Sequence, residues 1–257
     1  MRIGLTAVIL NDQAAFLSRW AEYLSKRTGT PISFVSRDTY QTIVDQLLAA
    51  QLDAAWLCGY PYVLHQSRMQ LIAVPLYQGK PLYQAYLIRP LQGESDINSW
   101  ADVKGKVVAF SDPLSNSGWL VAQAQMRAAG VDPRSLKKSF FAYGHRHVAE
   151  AVASRLAQAG SIDGYVWETM RQRRMPAVEQ TEVAWKSEFF GFPPLVTTHS
   201  DNDERVQKLK TVLLDMRNEA EGRDILQALN LTAFEAGSPS LFDSISRSAA
   251  AIQPRKT

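Results

Sequence analysis

Phe110-Ser111-Asp112-Pro113-Leu114-Ser115-Asn116-Ser117-Gly118 is the stretch on which the reading of this chain turns. It follows a strand, Val107–Phe110, and opens a helix that runs to about Ala129, with Gly130 where a helix C-terminal glycine belongs. The first turn of a helix leaves backbone N–H groups without intrahelical acceptors, and the helix dipole favours an anion there. Ser115, Asn116 and Ser117 add short polar side chains beside those groups, and Gly118 lets a ligand approach the backbone. Ser and Asn are also the commonest helix caps. Taken alone, the stretch therefore fits either an ordinary capped helix or a cradle for a tetrahedral oxyanion.

Strand and helix signals alternate on both sides of it, which argues for an α/β architecture of mostly parallel sheets flanked by helices. Residues 2–9 read as a first strand and residues 13–27 as a helix with Phe16, Leu17, Trp20 and Leu24 on one apolar stripe. A short strand covers residues 32–35. Asp38 is the expected N-cap of a helix bearing Tyr40, Ile43, Val44, Leu47 and Leu48. Residues 53–57 form a strand that ends in the turn Cys58-Gly59-Tyr60-Pro61-Tyr62, and two extended stretches, 71–77 and 83–89, follow. The α/β rhythm then restarts, with strands at 107–110, 138–142 and 162–167 and a helix over 145–159. Extended residues near 183–196 lead to helices near 203–217 and 221–229. The restart and the late return predict two lobes, residues 1–87 with 195–257 and residues 88–194, crossed twice by the chain. Ligand sites favour such domain junctions.

Composition narrows the function classes. With 46% hydrophobic and 21% charged residues, the chain is an ordinary globular one, apart from the polar tail Gln253-Pro254-Arg255-Lys256-Thr257. A net charge of +3, scattered, gives no nucleic-acid footprint. No apolar run reaches the roughly 18–20 residues of a membrane span. The start reads as a strand without a leader pattern, so it does not by itself fix a compartment. Cys58 is the single cysteine, which excludes an internal disulfide, and no Cys-based zinc motif is present. The chain also lacks a Gly-x-Ser-x-Gly elbow, a P-loop and a metal-binding carboxylate cluster. Ser117 with His145 has no third orienting group, so hydrolysis is the remote alternative. No cofactor or metal is expected.

Several motifs in a fixed order point further. Asp112-Pro113 before Ser115-Asn116-Ser117-Gly118 resembles the Asp-Pro-x-Ser-Thr-Ser-Gly signature of the phosphate/phosphite/phosphonate-type substrate-binding proteins of ABC transporters. Tyr23-Leu24 followed by Thr28-Gly29-Thr30-Pro31, Tyr40, Tyr83 in Tyr83-Gln84-Ala85-Tyr86, Asp102-Val103-Lys104-Gly105-Lys106, and Gly144-His145 followed by Ala151-Val152 resemble the family's other landmarks. The likeness implies the two-lobed type II periplasmic-binding-protein fold, with a ligand cleft between lobes that closes by a hinge. By this resemblance Ser115, Asn116 and Ser117 hold the oxyanion, Tyr40 and Tyr83 donate phenolic hydrogen bonds, and His145, preferred over His147, donates through its ring N–H. It further implies a monomer that binds a small oxyanion and delivers it to an ABC permease, in the periplasm or lipid-anchored outside the cytoplasm. The same fold could instead report to a sensor-kinase ectodomain.

Departures from the pattern bear on the ligand. Asn116 replaces the usual Thr. Aminoethylphosphonate binders carry an acid near the return strand, whereas Gly191-Phe192-Pro193-Pro194 has none, leaving Glu168 as the candidate partner for an ammonium group. Cys58 lies just after a strand, where open α/β sheets place ligands. It is either a buried structural residue or a thiolate for a thiophilic oxyanion such as arsenite, since arsenite-binding members of the superfamily rely on a cysteine.

Overall fold

A computed structural model describes residues 1–7, 14–91, 96–200 and 202–252. The chain forms two compact units, Met1–Leu82 with Gly191–Phe242 and Tyr83–Phe190 with Asp243–Thr257. It therefore changes unit three times. Where the sequence reading kept residues 195–257 together, the segment from Asp243 joins the second unit.

In the first unit the chain lays down β1 (Arg2–Leu5), β2 (Ser33–Ser36), β3 (Ala54–Trp56) and β4 (Gln70–Leu76), and later adds β10 (Leu195–Thr197) and β11 (Ala233–Glu235). The strand order is β11-β4-β10-β3-β1-β2. The pairs of β1 with β2 and β3 are parallel, and those made by β10 and β11 are antiparallel. Helices α1 (Ala14–Thr28), α2 (Tyr40–Leu48), α3 (Gly59–Leu64), α8 (Glu204–Asp215) and α9 (Ala220–Ala228) complete this unit. The core centres on Trp20 of α1, whose ring meets that of Trp56 edge-on at 5.9 Å. The Trp56 indole N–H donates to the Pro193 carbonyl at 2.9 Å, so the return segment is fastened to the end of β3. The first strand is shorter than expected, and Val8, Ile9 and Gln13 lie outside the described residues. Thr39, rather than Asp38, caps α2, its hydroxyl accepting the Thr42 N–H at 3.2 Å. The residues expected as a turn after Cys58 form α3.

A tight hairpin leads out of this unit. Gln78 and Gly79 both have positive φ, +52° and +77°, as a two-residue type I′ turn requires. The second unit holds β5 (Leu82–Pro90), β6 (Val107–Phe110), β7 (Lys138–Phe141), β8 (Ala159–Asp163) and β9 (Thr181–Gly191), in the order β7-β6-β8-β5-β9. Strand β6 is parallel to β7 and β8, and β5 is antiparallel to β8. Around the sheet lie α4 (Val121–Ala128), α5 (His145–Ala153), α6 (Gly164–Gln172), α7 (Pro176–Glu179) and α10 (Asp243–Ile252). The apolar core includes Leu87, Trp100, Val108, Phe110 and Met126. Helix α10 packs against α4, and the Arg127 guanidinium donates to the Ala251 carbonyl at 2.6 Å.

Two expectations are corrected in this unit. The helix starting at His145 stops at Ala153 rather than near 159, because Arg155 takes a left-handed turn (φ +62°) that returns the chain to β8. The strand expected over 162–167 ends at Asp163, whose carboxylate accepts the Val166 N–H at 3.2 Å and caps α6.

Candidate functional site

The C-terminal ends of the parallel strands β6 and β8, where open α/β sheets place their ligands, bring together most of the residues singled out in the sequence. After β6 the chain turns on Asp112, whose Oδ1 accepts the Leu114 N–H at 2.8 Å and whose carbonyl accepts the Ser115 N–H at 2.9 Å. The helix then opens with one π-helical turn, Asn116–Leu120, before continuing as α4. Its wide ring is closed by the Leu120 N–H on the Ser115 carbonyl at 3.0 Å. Such π-turns are rare and concentrate at functional sites.

Ser115, Asn116 and Ser117 are all fully buried, and each has a distinct task. The Ser115 hydroxyl accepts the Gly118 N–H at 2.9 Å, which makes it the cap of this helix. As an acceptor in that bond, the hydroxyl does not use its own proton there. The Asn116 side-chain amide donates to the Tyr83 phenol oxygen at 3.0 Å. The phenol oxygen thus has an acceptor role filled from within the unit. Ser161, at the middle of β8, donates to the Ser117 carbonyl at 2.7 Å and pins the turn to the sheet. Gly118 is also fixed by packing within the unit. A Cβ there would fall 1.8 Å from Ser111 Oγ, so glycine is required by the close packing of Ser111. The Ser111 hydroxyl itself is buried without a hydrogen-bond partner.

His145 begins α5 and is buried, whereas His147 is exposed and leans on the Ala142 carbonyl. The backbone N–H of Asp163 donates to His145 Nδ1 at 3.1 Å. Burial pulls the imidazole pKa down to about 3, so the ring is neutral, and the accepting Nδ1 leaves its proton on Nε2. That Nε2 is buried with no partner. Asp163 is buried as well. Burial pushes its carboxyl up to about 7, against the opposing pull of the Val166 and Tyr165 N–H groups and the Ser117 hydroxyl. The Ser117 hydroxyl is itself buried without a hydrogen-bond partner.

The second unit thus gathers Tyr83, Ser115, Asn116, Ser117 and His145, and it adds Ser111, Ser161 and Asp163, which the sequence reading did not single out. A signal for Asp163 was present: an Asp at a strand end before Gly is a good helix cap. Glu168 is placed elsewhere. Tyr83 and Tyr86 are three residues apart on β5 and so lie on opposite faces of the strand. Glu168 accepts from the Tyr86 hydroxyl at 3.2 Å and pairs with Arg171 at 2.7 Å and Lys186 at 4.0 Å. Tyr40 and Cys58 belong to the first unit. Tyr40 is the first residue of α2, and Cys58 sits at the N-cap position of α3; both are buried.

Among the described residues, no group of three or more His, Cys, Asp or Glu is arranged to hold a metal ion, and no helix is long and apolar enough to cross a membrane. What the second unit offers at these strand ends is a cluster of buried hydroxyl, phenol and imidazole groups beside the carboxyls of Asp112 and Asp163. This chemistry suits an acceptor-rich anion.

The sequence matches the family of phosphonate periplasmic substrate-binding proteins of ABC transporters over residues 10–242. It is similar to the phosphate-import protein PhnD of Mycolicibacterium smegmatis, with 29% identity over 221 residues, covering 81% of this chain and 68% of that one. The fold is similar to a binding-protein component of an ABC phosphonate transporter from Pseudomonas aeruginosa, with a TM-score of 0.87 at 21% identity, covering 99% of this chain and 89% of that one. PhnD1 from Prochlorococcus marinus, solved in complex with methylphosphonate, superposes with a TM-score of 0.85 at 18% identity, over 98% of this chain and 97% of that one. At these identities the structural likeness establishes the fold, that of type II periplasmic binding proteins.

Proposed function

Because the chain belongs to the family of phosphonate periplasmic substrate-binding proteins of ABC transporters, we propose that it captures a small tetrahedral oxyanion of the phosphonate, phosphite or phosphate type for an ABC permease. Members of this family are transport proteins rather than enzymes, and the family is periplasmic, so capture outside the cytoplasm is part of the same reading.

The observation that carries it is the donor set at the ends of β6 and β8. The Ser115 hydroxyl, the Tyr83 phenol and the His145 imidazole each have an acceptor position filled from within the protein, by the Gly118 N–H, the Asn116 amide and the Asp163 N–H. What remains at the Ser115 hydroxyl and at His145 Nε2 is a proton to donate. A ligand that accepts hydrogen bonds satisfies both, whereas an ammonium group does not. The N–H groups at the start of the Asn116–Leu120 turn and the helix dipole add to the preference for negative charge. No cation is needed, and a few such hydrogen bonds in a dry site supply the about −8 kcal/mol of a micromolar complex. The Mycolicibacterium relative, a phosphate importer, and the Prochlorococcus neighbour, which holds methylphosphonate, support this ligand class.

An aminoalkyl phosphonate fits less well. Glu168, the acid considered for an ammonium group, is already matched by Arg171 and Lys186. A small or apolar head group is therefore favoured.

Thermal unfolding in the presence of phosphate, phosphite, methylphosphonate, aminoethylphosphonate and sulfate tests the reading. A ligand at about 100 times its dissociation constant adds about 2.7 kcal/mol, a shift of a few degrees in a chain of this size. The expected result is stabilisation by at least one of the first three, abolished in Ser117→Ala/His145→Ala. Stabilisation that survives in that double variant would remove the site assignment, and silence across the panel would remove the ligand class.

A further inference from the structure

Resting on the oxyanion reading, we propose that Ser161 is a positioning residue of the site. Its hydroxyl holds the turn that carries Asn116 and Ser117 in π-helical register, and so sets where those two side chains meet the anion.

One carbonyl of this turn is passed over by the helix. In an α-helix the Ser117 carbonyl accepts the N–H four residues on, that of Val121. Here the Val121 N–H goes to the Asn116 carbonyl and the Leu120 N–H to the Ser115 carbonyl at 3.0 Å, each reaching back one residue further. The Ser117 carbonyl accepts the Ser161 hydroxyl instead, at 2.7 Å. The next carbonyl, that of Gly118, accepts the Ser111 N–H at 3.2 Å. Two consecutive carbonyls of the turn are thus drawn toward the sheet, one by the middle of β8 and one by the residue that follows β6.

Ser161 stands at the centre of a strand whose five residues are all buried, flanked by Gly160 and Ile162. Packing alone calls for an apolar side chain there. The hydroxyl is explained by the carbonyl it serves. Ser117 is fully buried too, and a buried carbonyl needs a partner. Without the Ser161 hydroxyl, the replacement supplied by the helix itself is the Val121 N–H, and taking it tightens the turn from π to α. The residues ahead of that bond then rotate about the helix axis relative to those behind it. Asn116 leaves the Tyr83 phenol, which its amide meets at 3.0 Å, and the Ser117 side chain turns with it. The same strand orients His145 through the Asp163 N–H, at 3.1 Å. Strand β8 therefore fixes two of the proposed binding residues, one from its middle and one from its end.

The test is calorimetric titration of methylphosphonate into wild type, Ser161→Ala, Ser161→Thr and Ser161→Val, each shown to be folded by urea unfolding. Thr and Val are close in shape and differ by the hydroxyl, so the cost of the added methyl is common to both. Ser161→Ala and Ser161→Val should each bind about tenfold more weakly than wild type, and Ser161→Thr should recover at least about fivefold over Ser161→Val. In a crystal structure of Ser161→Ala the Val121 N–H should have moved from the Asn116 carbonyl to that of Ser117. A serine that only packs would lower stability and leave the register of the turn and the affinity of the folded protein as they are. Unchanged affinity in Ser161→Ala, equal affinity in the folded Thr and Val variants, or a turn still in π register in Ser161→Ala would overturn the positioning role and leave the oxyanion reading intact. Failure of methylphosphonate, phosphite and phosphate alike to bind the folded wild type would overturn that reading, and the role of Ser161 with it. Should the Thr and Val variants not fold, Ser161→Ala decides: weakened binding together with the moved Val121 bond supports the role, and either one missing overturns it.

Discussion

The backbone N–H of Asp163 donates to Nδ1 of His145 at 3.1 Å, and with this one bond β8 dictates which nitrogen of the imidazole carries the proton. A side-chain donor at that place could rotate or titrate, but a main-chain N–H at the end of a strand cannot. The donor character of Nε2 is therefore a property of the fold, held across the whole pH range in which the ring stays neutral.

The two residues pull stability in opposite directions with pH. An unfolded histidine protonates near 6.5, but folded His145 protonates only near 3, so over that interval the unfolded state binds the extra proton and acid erodes stability. The folded Asp163 carboxyl keeps its proton up to about 7, whereas the unfolded one loses it near 3.8, so there the folded state binds the extra proton and rising pH erodes stability. The two slopes oppose each other between about pH 4 and 6.5, each approaching about 1.4 kcal/mol per pH unit. Relative to wild type, Asp163→Asn should lose stability as pH is lowered through this window, and His145→Gln should gain it. Urea unfolding at several pH values measures both, and differences independent of pH would contradict the assignment.

Ser115 and Ser117 should separate into a structural and a binding residue. The Ser115 hydroxyl caps the helix through Gly118, so Ser115→Ala is expected to cost about 1 kcal/mol of stability as well as affinity. Ser117 makes no comparable bond to the backbone through its side chain, and Ser117→Ala should weaken oxyanion binding about tenfold with stability nearly unchanged. Equal stability losses in the two variants, read by urea unfolding beside calorimetry, would show that the caps are assigned wrongly.

What the sequence made legible follows from how local each feature is. The strand–turn–helix around Ser115 could be read because its signals, an apolar run and then a cluster of Ser and Asn ahead of Gly118, lie within a dozen residues. At Asp163 the cap signal was outweighed, because Tyr165, Val166 and Trp167 are strand formers by propensity. Only the cap at Asp163 and the burial of these side chains in the packed unit turn them into α6. The fate of α10 was hidden for a different reason. Nothing near Asp243 encodes its packing on α4, which depends on groups as distant as Arg127 and Ala251. The packing demand on Gly118 was not legible because its neighbour in space, Ser111, is set by the turn and not by sequence distance.

Glu168 and Cys58 should leave capture of a phosphorus oxyanion unchanged. The carboxylate of Glu168 is held by Tyr86, Arg171 and Lys186, and its partly exposed ion pairs are each worth under about 1 kcal/mol. Cys58 is buried in the first unit at the N-cap position of α3, where its side chain makes no capping bond. Glu168→Gln and Cys58→Ala are each expected to keep methylphosphonate affinity within about twofold, a change of under about 0.5 kcal/mol. A tenfold loss in Glu168→Gln would return that residue to the ligand. A chain in which only arsenite binds, and only with Cys58 present, would reassign the protein to thiol-based capture.

Gly118 and Ser111 should behave as one packed pair. The carbonyl of Gly118 accepts the Ser111 N–H at 3.2 Å, and an added methyl at Gly118 would overlap Ser111 Oγ at 1.8 Å and Ser111 Cβ at 2.7 Å. Neither atom can retreat easily, because Ser111 is fully buried at the end of β6. Gly118→Ala should therefore cost about 1–3 kcal/mol through overpacking and displace the turn that carries Asn116 and Ser117. Ser111→Gly removes both clashing atoms, so combining it with Gly118→Ala should recover part of that loss, giving a coupling on the order of 1 kcal/mol in a double-mutant cycle. Purely additive effects would mean that the two residues do not touch in solution and that the geometry of the π-turn is set by something else.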